Sequence, residues 1–90
     1  MAPKARLTVT AVKGHCAAGY EVGDRFECDG TTIRGQEGQG ICLYAFPSLM
    51  PYLAAFCRET APDDWINRLR ELQCPDSTNT VVFAVERLEG

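Results

Sequence analysis

The sequence predicts an α+β fold, with a small, mostly antiparallel sheet of about four strands and one main helix and one short helix packed on it. Two observations predict this class. Apolar residues alternate along Arg6–Lys13 and Thr80–Leu88, as they do in strands, whereas the longest apolar run, Gly40–Cys57, carries a helical repeat. The 90 residues fit a single domain, 1–90, without internal repeats or a linker.

The main helix is predicted inside the long apolar run. Ser48 is a suitable N-cap, and Pro51 then falls in the first turn, where a missing N–H costs nothing. Pro62 disfavours helical geometry just before it, so the helix is expected to end near Thr60. The apolar face repeats at helical spacing in Leu49, Leu53 and Phe56.

The first half of the chain predicts two strands joined by loops. In Arg6–Lys13, one face is expected to hold Leu7, Val9 and Ala11 and the other Thr8, Thr10 and Val12. Arg25–Cys28 follows as a short strand after the Gly23-Asp24 turn signal. Thr31–Gly40 is polar and glycine-rich, which predicts a mobile loop.

The second half predicts a short helix and a hairpin. Asp63 is a plausible N-cap for a short helix that carries Ile66 and Leu69. Leu72–Cys74 alternates as a strand, and the turn-rich PDSTN segment connects it to Thr80–Leu88. The last strand is apolar on both faces, which indicates an interior position.

Composition narrows the classes of partner. The net charge is −3 and no run of like charge is present, which argues against a nucleic acid or an anionic membrane as the partner. No segment approaches the length of a membrane span, and the first ten residues lack the apolar region of a secretory signal, so a cytoplasmic location is expected. A core this small would gain stability from a metal, a covalent staple or a homodimer.

The five cysteines are the most unusual feature. An odd number without a C-x-x-C pair predicts neither a disulfide framework nor a zinc ribbon. Cys16, Cys42 and Cys74 each border a loop, and they would converge at one end of the sheet if the first strand and the last hairpin share it. Cys28 and Cys57 fall at core positions by their pattern.

Three interpretations of the loop-bordering cysteines remain open. With His15 or Asp24 as a fourth ligand, three thiolates would suit one transition-metal ion, namely zinc, iron or copper. The same thiols would also serve as a reactive or redox site, and buried cysteines often act only as small apolar residues.

Other residues are candidates for acid–base chemistry or for a pocket. His15 adjoins Cys16 and would help it to act as a nucleophile, and Asp24 would act as a general base if it faced the same cavity. Aromatic side chains that would line an apolar pocket are Tyr44, Phe46, Tyr52 and Trp65.

An ordered series of motifs extends over most of the chain. It consists of His15-Cys16-x-x-Gly19-Tyr20-x-Val22-Gly23-Asp24-x-Phe26, Gly40-Ile41-Cys42-x-x-Ala45-Phe46, Pro51-Tyr52, Trp65, Cys74-Pro75-Asp76 and Asn79-x-Val81-Val82-Phe83. This series resembles a family of uncharacterised small multi-cysteine proteins of bacteria, archaea and fungi. The resemblance implies that the recurrent cysteines are Cys16, Cys42 and Cys74, and it implies no established reaction. Fungal relatives near biosynthetic genes would fit a role in secondary metabolism.

Three functions follow as alternatives. The first is a cysteine-centred site that binds or acts on a small metabolite. The second is a cofactor-independent isomerase, cyclase or lyase, with an aromatic pocket and acid–base chemistry from Asp24 or His15. The third is a non-catalytic homodimeric binding module.

Overall fold

A computed structural model describes residues 3–88, which form one antiparallel sheet and one α-helix. The strands are β1 (Ala5–Lys13), β2 (Arg25–Cys28), β3 (Ile33–Gly35), β4 (Glu71–Gln73) and β5 (Thr80–Arg87), and the helix is α1 (Ala45–Phe56). Their order in the sheet is β3-β2-β1-β5-β4. The predicted α+β class is confirmed, and the strand count is corrected from about four to five.

The fifth strand, β3, lies in the segment predicted to be a loop. The Asp29 carboxylate accepts the backbone N–H groups of Thr31 and Thr32 at 2.8 and 2.7 Å, which turns the chain back on itself. Residues 33–35 then pair with β2, and Gly35 lies opposite Phe26. A three-residue edge strand is too short to show an alternating pattern, so the sequence does not reveal it.

A β-bulge in β1 corrects the predicted faces of that strand. Val9 pairs with Phe83 but the next partner of β5 is Ala11, so Thr10 is the extra residue. Beyond the bulge the alternation shifts by one position. Val12, and not Ala11, therefore packs against the core, opposite Val81.

The final hairpin agrees with the prediction. β4 pairs with β5, with Leu72 opposite Phe83, and β5 lies between β4 and β1 in the interior of the sheet. The strand ends at Gln73, so Cys74 lies in the connection between β4 and β5.

Helix α1 begins and ends three or more residues earlier than predicted. It starts at Ala45, and Ser48 is not the cap, because its hydroxyl donates to the Ala45 carbonyl at 2.7 Å. Pro47 is tolerated because it falls in the first turn, where its missing N–H has no helical partner. Pro51 consequently lies inside the helix rather than in its first turn. The helix ends at Phe56, whose carbonyl accepts a hydrogen bond from Arg87 Nε at 3.0 Å.

The predicted short helix is a single 3-10 turn, Trp65–Arg68. Its cap is Asp64, one residue after the predicted Asp63, because the Asp64 carboxylate accepts the Ile66 N–H at 3.0 Å.

The core lies between α1 and one face of the sheet. Four aromatic rings form its centre, with ring centroids 4.9 to 6.4 Å apart and mostly edge-to-face, which is a favourable geometry. They belong to Tyr20, Phe26, Phe46 and Phe83. Among residues 3–88, no helix has the length and hydropathy needed to cross a membrane.

Candidate functional site

A cavity of about 540 Å³ opens at one end of the sheet, beside the start of α1. Three connections form it: the loop after β1, the segment that enters α1, and the β4–β5 connection. Each connection contributes one cysteine, Cys16, Cys42 and Cys74 respectively. The antiparallel pairing of β1, β5 and β4 explains why the three cysteines meet. It brings the last residues of β1 and β4 and the first residues of β5 to the same end of the sheet.

Cys42 lies at the N-terminus of α1. The first helical residue, Ala45, points its backbone N–H at Cys42 Sγ with a distance of 3.5 Å, and the Phe46 N–H donates to the Cys42 carbonyl at 3.2 Å. The cysteine therefore takes the place of the polar cap that α1 lacks. Free N–H groups at a helix N-terminus favour negative charge, so this edge of the cavity suits an anionic sulfur or an anionic group of a ligand.

Tyr20 fixes the segment that carries Cys42. Its ring is only 4% exposed and contacts the aromatic core, whereas its hydroxyl donates to the Gly40 carbonyl and accepts the Cys42 N–H, both at 2.7 Å. Burial raises the pKa of Tyr20 to about 12 even though the hydrogen bond from the Cys42 N–H opposes the rise, so the phenol stays neutral over the physiological range. We therefore assign Tyr20 a positioning role at the base of the cavity.

The β4–β5 connection holds Cys74 through local hydrogen bonds. The Thr80 hydroxyl donates to the Cys74 carbonyl at 2.8 Å. The Asp76 carboxylate accepts the N–H groups of Asn79 and Thr78 at 3.0 and 2.8 Å, and these bonds hold the pKa of Asp76 below its usual value. The connection is thus an ordered turn and not a loose loop.

The loop after β1 is held by the same connection. Asn79 Oδ1 accepts the His15 N–H at 2.9 Å, and Gly14 has a positive φ of 73° with the Asn79 side chain packed where a Cβ would project. His15 is exposed and Cys16 is half-buried, and both border the cavity. One amide side chain therefore aligns the walls that contribute Cys16 and Cys74.

Much of the remaining wall is small and apolar, beside the polar side chains of Asp76 and Asn79 and the exposed ring of Tyr44. The small apolar residues are Ala17, Ala18, Ala45, Pro75 and Val81. Short side chains leave space that larger residues would fill. A cavity of this size and composition is typical of sites for small molecules.

Metal binding stays a prediction. Among residues 3–88, no three or more histidine, cysteine, aspartate or glutamate side chains lie close enough together to hold a metal ion. A site built from Cys16, Cys42 and Cys74 would thus need their loops to move together on binding.

Asp24 lies outside this cavity. Its carboxylate accepts the Glu21 N–H at 2.9 Å, which closes a turn, and it borders a separate polar groove with Arg25 and Gln36–Gly40. It is near enough to influence Tyr20, but it does not share a cavity with His15.

The four aromatic candidates do not surround one pocket. Tyr44 borders the three-cysteine cavity and is 80% exposed, whereas Phe46 is fully buried in the core. Tyr52 and Trp65 contact each other edge to face on the surface, with ring centroids 6.1 Å apart.

Sequence reasoning did not single out Tyr20, Asp76 or Asn79 as parts of a site. Tyr20 looks like any core aromatic in sequence, because only the fold shows its hydroxyl beneath the cavity. Asp76 and Asn79 carried a signal, since an aspartate three residues before an asparagine in a turn-rich segment is typical of a closed turn.

Comparison of the chain with protein-family models, with curated proteins and with solved structures finds no match in any of the three. The resemblance to a family of small multi-cysteine proteins therefore stays a prediction, and the site is interpreted from its geometry alone.

Proposed function

We propose that the three-cysteine cavity binds a small, mostly apolar molecule and presents a reactive thiol to it. The observation that carries the proposal is that Cys16, Cys42 and Cys74, which are widely separated in sequence, border one cavity whose lining is largely apolar. Five cysteines are present, and the other two lie outside the cavity, so the thiols are concentrated where a ligand would bind.

Cys42 is the thiol that we assign to the chemistry. It alone among the three receives an N–H from the start of α1, at 3.5 Å, and a helix N-terminus stabilises a negative charge. A thiolate is the nucleophilic form of cysteine, so the sulfur would attack a soft electrophilic carbon of the bound molecule. Tyr20 holds the Cys42 backbone in place and keeps its own proton.

The neighbouring groups have supporting roles. The imidazole of His15 borders the same cavity, and its ring nitrogens would accept the proton that the thiol must lose. Asp76 and Asn79 would orient a polar end of the ligand at the rim. The apolar part of the lining favours an apolar body for the ligand.

The test is a site-resolved labelling experiment with N-ethylmaleimide, a small apolar electrophile. The reduced protein is labelled at neutral pH, and the extent at each cysteine is followed by peptide mass spectrometry. We expect Cys42 to react roughly tenfold faster than Cys28 and Cys57, and Tyr20→Phe to slow its reaction by loosening its backbone. Tyr44→Phe is the matched control, since it removes the same hydroxyl from a ring that is 80% exposed. Equal labelling of all five thiols, or preference for Cys57, would overturn the assignment.

Elemental analysis of untagged protein purified without oxygen separates the thiol proposal from its metal-thiolate form. About one equivalent of zinc, iron or copper, lost in Cys16→Ser and in Cys74→Ser, would make Cys42 a ligand rather than a free nucleophile. No bound metal, together with five titratable thiols, supports the reactive-thiol form.

The two alternatives keep their own tests. Acid–base catalysis would predict that Asp24→Asn abolishes turnover of an identified substrate while Cys42→Ser does not, although Asp24 and the cavity lie apart. A homodimeric module would show twice the chain mass in light scattering at micromolar concentration.

A further inference from the structure

The remaining two cysteines meet at the other end of α1. Cys28 is the last residue of β2 and Cys57 follows the last residue of α1, and their sulfurs are 3.3 Å apart. A disulfide has an S–S distance of about 2.05 Å, so bond formation requires an approach of about 1.2 Å. These residues are 29 positions apart in the chain, so their contact is a product of the fold.

The structure favours contact between these two sulfurs over contact of either with a third cysteine. The other three cysteines border the cavity at the opposite end of α1. Gly30, in the turn after β2, packs against Cys57, since a Cβ at that position would meet Cys57 Cβ at 3.5 Å. Each of the two cysteines therefore has the other as its cysteine partner in the fold.

A small oxidant has access to the pair. Cys57 is half-buried, and a groove of about 150 Å³ extends beside Cys28 between the β2–β3 turn and α1. Burial, and then the hydrogen bond with Cys57, raises the pKa of Cys28 to about 12. Cys28 is therefore protonated near neutral pH and is also the more buried of the two, so Cys57 is the sulfur that an oxidant reaches first.

We infer that Cys28 and Cys57 form a reversible redox pair that peroxide converts to a disulfide joining β2 to the C-terminal end of α1. The Cys57 thiolate attacks one oxygen of hydrogen peroxide, the O–O bond breaks, and a sulfenic acid and hydroxide form. The sulfur of Cys28 then attacks the sulfur of Cys57, and the S–O bond breaks. Two thiols lose two electrons and two protons in total, and one peroxide becomes two waters.

The cross-link would stabilise the fold. It closes a loop that contains β3 and α1, and closing a loop of this length restricts the unfolded chain considerably. Two-electron reductants such as dithiothreitol restore the thiols, so the state of the pair follows the surrounding redox potential. The disulfide would lie at the other end of α1 from Cys42, so its formation uses none of the cavity thiols.

The experiment treats the reduced full chain with a small excess of hydrogen peroxide, blocks remaining thiols with iodoacetamide, and maps the peptides by mass spectrometry. We expect a cross-linked peptide that joins Cys28 to Cys57, and a rise in Tm of about 10 °C or more that dithiothreitol reverses. Cys57→Ala should lose both the peptide and the rise in Tm, whereas the matched variant Cys74→Ala should keep both.

Two results would overturn the inference. One is a cross-linked peptide among the cavity cysteines with Cys28 and Cys57 still alkylated. The other is a Cys28–Cys57 peptide whose formation leaves the Tm unchanged or lowers it, which would show that the bond strains the fold. Cys57→Ala removes a half-buried thiol and not a core side chain. The Tm of this variant, which cannot form the disulfide, is therefore the baseline against which the rise in Tm is measured.

Discussion

The two ends of α1 differ in what covers them. At the N-terminal end, small side chains and three connections leave a cavity of about 540 Å³, and Cys42 Sγ is the group that faces the first helical N–H. At the C-terminal end, Arg87 donates to the Phe56 carbonyl at 3.0 Å and lies 4.6 Å from the Phe56 ring centroid, and Cys28 and Cys57 are in contact. A smaller hollow of about 300 Å³ lies beside Phe56 and Arg87, so the N-terminal end has the larger cavity. We call the N-terminal end the open end and the C-terminal end the closed end.

The difference shows how a small domain can keep a cavity beside a helix that still packs on the sheet. Phe46 in the first turn of α1 and Phe56 in its last turn are both buried, so the helix is anchored on the sheet at both ends and the cavity lies beside its start. The thiols follow the same division. At the closed end they face each other, and at the open end they face the cavity.

The largest expected effect comes from truncating a side chain at the closed end. Phe56→Ala removes a buried ring and is expected to lower the free energy of unfolding by about 3–5 kcal/mol. Leu43→Ala is the matched change at the open end, where the side chain is 83% exposed, and should cost less than about 0.5 kcal/mol. Urea titration followed by circular dichroism measures both. Similar losses for the two variants would contradict the division into an open and a closed end.

Alkaline pH should lower the free energy of unfolding, first through Cys28 at the closed end and then through Tyr20 at the open end. Burial raises the pKa of Cys28 from 9 and that of Tyr20 from 10, each to about 12. The unfolded chain therefore releases these protons at lower pH than the folded chain does. Stability from the neutral forms is complete below pH 9 and is lost between pH 9 and about 12, by an amount on the order of 2 kcal/mol.

Urea titrations across this range in the presence of a reductant test the alkaline effect. Cys28→Ala should flatten the decline from its start near pH 9, and Tyr20→Phe should flatten the part above pH 10. A decline that neither variant alters would show that other groups cause it.

Removing the Tyr20 hydroxyl should destabilise the segment that leads into α1 at the open end. Tyr20→Phe leaves the Gly40 carbonyl and the Cys42 N–H without their shared partner, so we expect a loss of about 1–3 kcal/mol. Tyr44→Phe removes a hydroxyl from a ring that is 80% exposed and should be nearly neutral. Faster amide hydrogen exchange at Cys42 in the Tyr20 variant would locate the effect; unchanged exchange there would contradict it.

The smallest expected loss of stability comes from removing Arg87, which caps the C-terminal end of α1. Arg87→Ala removes a hydrogen bond to the helix C-terminus and a cation–π contact, and we expect a cost of about 1 kcal/mol. Arg58→Ala, an exposed arginine just after α1, is the control and should change stability by less than about 0.5 kcal/mol. If the two arginine variants behave alike, the Arg87 contact contributes nothing to the closed end.

The sequence predicts the fold class and the long strands well, because β1 and β5 alternate over many residues. It does not reveal the bulge at Thr10, since register is set by the partner strand. The start of α1 was misplaced because a serine near a proline is a stronger cap signal than Cys42, and a sulfur that faces a helical N–H leaves no mark in the sequence.

The site was partly predictable for the same physical reasons. The loop-bordering positions of Cys16, Cys42 and Cys74 indicated a site. That β1, β4 and β5 meet at one end of the sheet depends on the strand order, which sequence patterns alone do not determine. The contact between Cys28 and Cys57 was not predictable, because both residues read as ordinary core positions and only the packing of α1 on β2 brings their sulfurs together.

The pairing of β1 with β5 has a consequence for biosynthesis. Lys13 of β1 pairs with Thr80 of β5, and the two are 67 residues apart in the chain. A ribosome that adds about 5–20 residues per second needs roughly 3–13 seconds between them. During that interval β1 has an unpaired edge and an apolar face, and the sheet can close only after β5 has left the exit tunnel. The central ladder therefore forms late, and β1 is the segment that a chaperone would protect until then.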